Sequence, residues 1–109
     1  MASPRAALSF IESAIKKHNV VVFSKTTCPF SILAKKILTE AGVQDMQVYE
    51  IERRKDGPEI QEALHNITGR KTVPNVFIRG KSIGGGSETA ELYQSGKLKE
   101  MLQDQGILK

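Results

Sequence analysis

The sequence predicts an α/β fold in which helices cover both faces of a mixed four-stranded sheet. Short apolar runs typical of strands alternate with segments whose apolar residues recur at helical spacing. A helix joins the first two predicted strands, which makes those strands parallel. A short glycine-containing turn joins the last two, which makes them a hairpin. These observations predict one domain over residues 1–109.

The predicted elements run in the order helix, strand, helix, strand, helix, strand, strand, helix, helix. Ser3-Pro4 are typical of an N-cap and first turn, and open a helix to about Lys17. The predicted strands are 20–24, 47–51, 75–78 and 82–83, with 79–81 as the hairpin turn. The later helices are 29–41, 58–68, 88–95 with Ser87 as its cap, and 97–105; a glycine follows each. The second helix has apolar positions that we expect to face the core: Ile32, Leu33, Ile37 and Leu38.

Cysteine usage and hydropathy limit the class of protein. A single cysteine excludes an internal disulfide and therefore a disulfide-built secreted module. A reducing compartment is favoured, with the cytoplasm as the expectation and an organelle import segment left open. No apolar run approaches the length of a membrane span, so we expect no membrane partner, and we expect a monomer.

Charge and ligand spacing argue against two kinds of site. The net charge is +4, but the basic residues are scattered, and the run at 53–55 has no aromatic neighbours to stack on bases. We interpret that run as a solvated loop and expect no nucleic-acid partner. Cys28, His18 and His65 lack the spacing of a zinc site, so no metal site is expected.

Cys28 is the candidate nucleophile. Pro29 favours the first position of a helix, which places Cys28 at the N-cap, facing unpaired N–H groups and the positive end of the helix dipole. Lys25 adds a cation nearby. Both effects favour the reactive thiolate over an inert buried cysteine, which is the alternative. Ser31 lies one turn on, where its hydroxyl can donate to the sulfur but cannot resolve a mixed disulfide.

Two further segments carry candidate binding groups. Pro74 in "TVPN" begins a strand; a cis bond after Val73 would turn the Val73 backbone toward an extended ligand, but a trans bond is the commoner state. In "IGGGSE", glycines allow close backbone approach, and a helix N-terminus binds carboxylates. Glu88 can pair with an ammonium group, so this segment suits a free amino-acid end.

Together, "SKTTCPFS", "TGRKTVPNVFI" and "GKSIGGGSE" resemble the glutaredoxin family over about residues 10–105. They are more similar to the glutathione-reducing class than to the class with Cys-Gly-Phe-Ser. The resemblance implies a thioredoxin fold, Cys28 as nucleophile, and glutathione as co-substrate. It also implies a glutathione groove formed by Lys25, Phe30, Gln61, Thr72, Val73, Pro74, Gly85, Ser87 and Glu88, with Arg70 as a further candidate.

Three departures from the family pattern bear on function. Ser31 stands where a second cysteine is usual, either naturally or as a Cys→Ser replacement. Glu88 stands for the more usual aspartate, and Gly86 for a larger residue. We therefore predict a monothiol mechanism that removes glutathione from glutathionylated proteins or small disulfides. A glutathione-ligated iron–sulfur cluster held by a dimer is the less favoured alternative, and a non-catalytic binding module is a third.

Overall fold

The computed structural model describes residues 4–108 and has the predicted order of elements. The strands are β1 (Val20–Ser24), β2 (Met46–Glu50), β3 (Asn75–Ile78) and β4 (Lys81–Gly84). The α-helices are α1 (Pro4–Lys17), α2 (Pro29–Glu40), α3 (Gly57–Thr68), α4 (Gly86–Gln94) and α5 (Lys97–Asp104). A short 3₁₀ turn, Ile51–Arg53, follows β2.

The sheet has the order β2-β1-β3-β4. Strands β1 and β2 are parallel, while β3 is antiparallel to both of its neighbours. The hairpin turn has two residues, Arg79 and Gly80, rather than the three predicted. Both have positive φ, 51° and 82°, as in the primed turns whose twist matches that of the flanking strands. The mixed sheet with helices on both faces confirms the predicted thioredoxin fold.

The two faces of the sheet bury different residues of the same strands. On one face, Val20, Val22, Val76 and Ile78 pack with α2 and α5. On the other face, Val21, Phe23 and Phe77 pack with α1 and α3. Strands β1 and β3 are buried at every position because both of their faces are covered. This buried pair of central strands leads to Cys28 at the end of β1 and follows Val73 and Pro74 at the start of β3.

The element boundaries differ from the prediction by one or two residues at several ends, and two of these differences are explained by the residues at the turn. Strand β2 begins and ends one residue early, because Ile51 turns into the 3₁₀ segment and its side chain is buried. Helix α4 begins at Gly86 with Gly85 as its N-cap, so the predicted cap at Ser87 is wrong. The missing side chain at Gly85 lets the chain enter the helix two residues sooner than predicted. The predicted cap at Ser3 lies outside the described residues.

Two side chains do not occupy the environment that the sequence predicted. Ile32 was expected to face the core but is 51% exposed, because α2 turns that side away from the sheet. Arg54 was placed in a solvated loop, yet its guanidinium stacks on the Phe10 ring at 4.3 Å and pairs with Asp56. Among residues 4–108, no helix is long and apolar enough to cross a membrane.

Candidate active site

Cys28 lies between the end of β1 and the start of α2. It is the N-cap of α2, with extended backbone angles of −86° and 118°, and Pro29 begins the helix. The predicted cap position is therefore confirmed. No side chain caps this end of the helix. The first-turn N–H groups are consequently left to interact with the sulfur.

The surroundings of Cys28 stabilise its thiolate. Partial burial raises the pKa of the thiol, but hydrogen bonding from the Ser31 hydroxyl and from the Ser31 and Phe30 N–H groups outweighs it. The positive charge of Lys25 acts in the same direction. The pKa of Cys28 therefore lies below its ordinary value. A larger share of the protein then carries the nucleophilic thiolate near neutral pH.

Ser31 is fully buried beneath Cys28, whereas an ordinary first-turn serine is solvated. Its Oγ accepts a hydrogen bond from the Lys25 N–H at 3.3 Å. A hydroxyl has one proton to donate as well as lone pairs, so Ser31 can accept from Lys25 while it donates to the sulfur. Ser31 thus couples the loop before Cys28 to the ionisation of Cys28.

Val73 faces Cys28 from the segment before β3. The thiol donates to the Val73 carbonyl, with sulfur and oxygen 3.6 Å apart. The peptide bond between Val73 and Pro74 is cis, the state that the sequence left open. Val73 is half-buried and Thr72 is exposed. The Val73 backbone therefore lies within reach of a molecule attached to Cys28, and Thr72 is the next residue towards the N-terminus.

A buried polar network anchors this segment, and sequence reasoning missed it. Asn75 is fully buried; its amide donates to the Thr68 hydroxyl at 3.0 Å, and its carbonyl accepts from Ser82 at 3.0 Å. The Thr68 hydroxyl donates to the Leu64 carbonyl at 2.6 Å and accepts from the Arg70 N–H. The network links α3, the Val73 segment and the hairpin. A polar residue at a strand position, next to Pro74, was the available signal.

The third predicted segment places Gly85 and Glu88 at the start of α4. Glu88 accepts from the Gly85 N–H at 2.9 Å and lies 3.4 Å from the Arg70 guanidinium. Its own N–H, then that of Gly85, and then Arg70 hold the pKa of this carboxyl below its ordinary value, against the opposing effect of burial. A Cβ at Gly85 would collide with Arg70. Ser87 is exposed beside them.

Gly86 brings the two helix N-termini together. A Cβ at this position would lie 2.8 Å from the Phe30 carbonyl oxygen and 2.9 Å from the Phe30 Cβ. The departure from a larger residue at Gly86 therefore fits the close approach of α4 to α2. Phe30 itself is 53% exposed, so its ring is available to a ligand.

Gln61 lies on α3, next to the chain that leads to Val73. Its amide donates to the Lys71 carbonyl at 2.8 Å. Gln61 and Lys71 line a surface cavity of about 300 Å³ with Pro58, Glu62 and His65. The predicted Gln61 contact with a ligand thus competes with a contact inside the protein. A larger cavity of about 460 Å³ lies between α1 and α3, but no thiol lines it.

A second contact that the sequence did not indicate joins Thr26 and Glu52. The Thr26 N–H and hydroxyl both donate to Glu52, at 2.9 and 2.6 Å. The two residues are 26 positions apart. The contact ties the loop before Cys28 to the turn after β2.

The described residues do not form a metal site. Within 4–108, no group of three or more His, Cys, Asp or Glu side chains is placed to hold a metal ion. A two-iron cluster takes four thiolates, and the chain has one cysteine. One chain therefore cannot hold such a cluster alone, and the alternative in which two chains and two glutathiones supply the four thiolates stays a prediction.

Comparison with known proteins identifies the family. The sequence model of the glutaredoxin family matches residues 20–83, which include Cys28, Val73 and all but the last residue of the hairpin. The chain belongs to the glutaredoxin family. Members of this family are generally thiol–disulfide oxidoreductases.

Individual glutaredoxins resemble the chain over most of its length. Glutaredoxin-C8 of Oryza sativa subsp. japonica is 46% identical over 95 residues, which cover 86% of this chain and 70% of that protein. Monothiol glutaredoxin-S6 of the same plant is 38% identical over 101 residues, covering 93% and 76%. The crystal structure of a buckwheat glutaredoxin–glutathione complex has a TM-score of 0.91 and 39% identity, covering 97% of this chain and 96% of that one.

Proposed function

We propose that this glutaredoxin removes glutathione from mixed disulfides by a monothiol mechanism that uses Cys28 alone. The observation that carries the proposal is the position of Cys28: a single thiol, at an uncapped helix N-terminus, with its pKa lowered by Ser31, Phe30 and Lys25. The resemblance to a named monothiol glutaredoxin and to a glutaredoxin bound to glutathione supports it.

In the first step, the Cys28 thiolate attacks the glutathione sulfur of a mixed disulfide. A bond forms between the Cys28 sulfur and glutathione, and the disulfide bond of the substrate breaks. The substrate leaves as a thiolate and takes a proton from water. A lowered pKa favours this attack because only the thiolate is a nucleophile.

In the second step, the thiolate of free glutathione attacks the glutathione sulfur held on Cys28. Oxidised glutathione forms, and Cys28 leaves as a thiolate. A thiol of low pKa is also a good leaving group, so the same surroundings assist both steps. Ser31 has no thiol to attack the mixed disulfide, so a second glutathione must resolve it.

The proposed groove runs from Cys28 across the Val73 segment to the start of α4. The Val73 backbone faces the sulfur and suits pairing with the cysteine residue of glutathione. Lys25 and Gln61 flank the end proposed for the glycine carboxylate. The α4 N-terminus, with Gly85, Ser87 and Glu88, is proposed to take the γ-glutamyl end. Thr72 and Phe30 are exposed and are proposed to complete this surface, whereas Pro74 is buried and adds little to it.

Replacement of Cys28 by serine tests the catalytic role. We expect the Cys28→Ser variant to lose turnover of a cysteine–glutathione mixed disulfide with free glutathione, measured as oxidised glutathione formed. The matched control is Ser95→Ala, at an exposed position where α4 ends. Turnover by the Cys28→Ser variant at the rate of the unaltered protein would refute the proposal.

Mass spectrometry tests the intermediate. After exposure to oxidised glutathione, the unaltered protein should gain one glutathionyl group on Cys28. Free glutathione should then remove it. An adduct that free glutathione does not remove would contradict the second step.

A further inference from the structure

We infer that Glu52 is a positioning residue for Cys28, acting through Thr26. Within residues 4–108, Glu52 forms no hydrogen bond or ion pair with Cys28 or with a residue of the proposed groove. It holds the loop of residues 25–28, which carries both Lys25 and Cys28. The inference deepens the proposed function and rests on it for its catalytic meaning, although its structural content concerns only the ionisation of Cys28.

Two hydrogen bonds join Thr26 to Glu52. One carboxylate oxygen, Oε2, accepts from the Thr26 N–H at 2.9 Å and from the Thr26 hydroxyl at 2.6 Å. Hydrogen bonds to an ionised acceptor are shorter and stronger than neutral ones. The Thr26 hydroxyl is the main cause that holds the pKa of Glu52 below its ordinary value, with Arg53 a minor one. Glu52 is therefore ionised, and its contact with the loop intact, at neutral pH.

The partners of the backbone N–H groups in this loop show why the contact between Thr26 and Glu52 matters. The Lys25 N–H bonds the Ser31 hydroxyl, and the Cys28 N–H bonds the Lys25 carbonyl within the loop. The Thr26 N–H bonds Glu52. The loop thus has two side-chain anchors among the described residues, one on α2 and one on the turn after β2. If Glu52 is removed, only the contact with the buried Ser31 still holds the loop.

The anchored loop controls the groups that ionise Cys28. Ser31 lowers the pKa of Cys28, and the same hydroxyl accepts from the Lys25 N–H. Lys25 is the charged side chain that acts on Cys28. If the loop moves, the Ser31 hydroxyl and the Lys25 charge both lose their alignment with the sulfur. Burial, which raises the pKa, is then opposed less strongly.

The sign of the effect separates positioning from simple electrostatics. Glu52 is negatively charged, and a nearby negative charge disfavours a thiolate. Removal of that charge alone would lower the pKa of Cys28. Removal of a positioning contact would raise it. The two explanations therefore predict opposite shifts.

The experiment measures the pKa of Cys28 from the pH dependence of its alkylation by iodoacetamide. For Glu52→Ala we expect a rise of about half to one pKa unit, which is about a three- to tenfold slower alkylation at pH values below the midpoint. Thr26→Val removes the hydroxyl partner without a change of charge and should shift the pKa in the same direction. Glu12→Ala, at an exposed carboxylate on α1, is the matched control and should leave it unchanged.

Two further variants sharpen the result. Glu52→Gln keeps an oxygen acceptor and should stay near the unaltered pKa, which would identify the hydrogen bond as the cause. The double variant of Glu52→Ala and Thr26→Val should shift no further than Glu52→Ala alone, because both changes remove one contact. Circular dichroism on each variant shows whether the fold is retained.

An unchanged or lowered pKa in folded Glu52→Ala would overturn the inference. The measurement needs no glutathione, so it separates the inference from the proposed function. If the pKa rises but the unaltered protein does not turn over glutathione mixed disulfides, the positioning role stands and the proposed function fails. If the unaltered protein turns over these disulfides but the pKa of Cys28 is unchanged in Glu52→Ala, the positioning role fails and the proposed function stands.

Discussion

Two helix N-termini meet at the proposed groove, and they treat negative charge differently. At α2, the N-cap is Cys28, no side chain caps the helix, and the first-turn N–H groups act on the sulfur. At α4, the N-cap is Gly85, and the Glu88 carboxylate already accepts from the Gly85 N–H and from its own. The dipole of α2 therefore stabilises a reactive thiolate, whereas the dipole of α4 stabilises a carboxylate of the helix itself.

From this difference we propose separate tasks for the two ends of the proposed groove. The α2 end is prepared for chemistry, because its donors act on the atom that reacts. We propose that the α4 end serves binding, because Gly85 and Arg70 already hold Glu88 without a ligand. A ligand ammonium group would meet an oriented carboxylate there, while a ligand carboxylate would share the N–H groups with Glu88.

The first prediction concerns the close contact between the N-termini of α2 and α4. Gly86→Ala puts a Cβ 2.8 Å from the Phe30 carbonyl oxygen, which forces α4 away from α2. We expect a loss of about 1–3 kcal/mol in the free energy of unfolding, as for other overpacked sites. Urea denaturation measures it.

The neighbouring Ser87→Ala is the control, since Ser87 is exposed, and its stability should change by no more than about 0.5 kcal/mol. Equal stability of Gly86→Ala and the unaltered protein would show that the two helices can separate freely.

The second change acts on the α2 end alone. Ser31→Ala removes the hydroxyl that lowers the pKa of Cys28 and that accepts the Lys25 N–H. Because burial pushes that pKa upward, we expect it to rise by about one unit. The thiolate fraction below the midpoint, and with it the alkylation rate, should fall about tenfold. A pKa equal to that of the unaltered protein would show that the backbone N–H groups suffice.

The sequence predicted the α2 end better than the α4 end, for a physical reason. Cys28, Pro29 and Ser31 act within one helical turn, so their spacing along the chain determines their contacts. Arg70 and Glu88 meet only after the sheet forms, and Thr26 with Glu52 likewise. No local pattern marks such a pair.

The fold shows the same division between local and distant signals. The order of strands and helices was predicted from the spacing of apolar residues and from the glycines that follow the helices. The exposure of Ile32 and the start of α4 at Gly86 depend on how α2 lies on the sheet and on α4. The apolar pattern of α2 indicated a buried side but could not tell which apolar residue at its start would remain outside.

The third change tests the binding task of the α4 end. Glu88→Gln keeps the size of the side chain and an oxygen for the Gly85 N–H but removes the charge. We expect the KM for the glutathione mixed disulfide to rise about three- to tenfold, which corresponds to about 1 kcal/mol, the net contribution of a typical hydrogen bond. The kcat should change little, because Glu88 does not act on the sulfur.

Glu91→Gln is the matched control, because Glu91 is an exposed carboxylate on the same helix, and its KM should be unchanged. A fall in kcat with an unchanged KM in Glu88→Gln would assign Glu88 to the chemistry and erase the distinction between the two ends.

The smallest expected effect is the pH dependence of stability contributed by Glu88. The pKa of Glu88 is lower in the folded protein than its ordinary value. Ionised Glu88 therefore adds to the free energy of unfolding above the unfolded pKa of about 4.3, and this addition is lost as the pH falls through the folded pKa. The side chain is 46% exposed, so solvent screening keeps the contribution well under 1 kcal/mol. Urea midpoints of the unaltered protein and Glu88→Gln should therefore differ slightly at neutral pH and converge in acid. A difference that grows on acidification would mean that Glu88 is strained in its place, and that Arg70 and the α4 amides do not favour its ionised form.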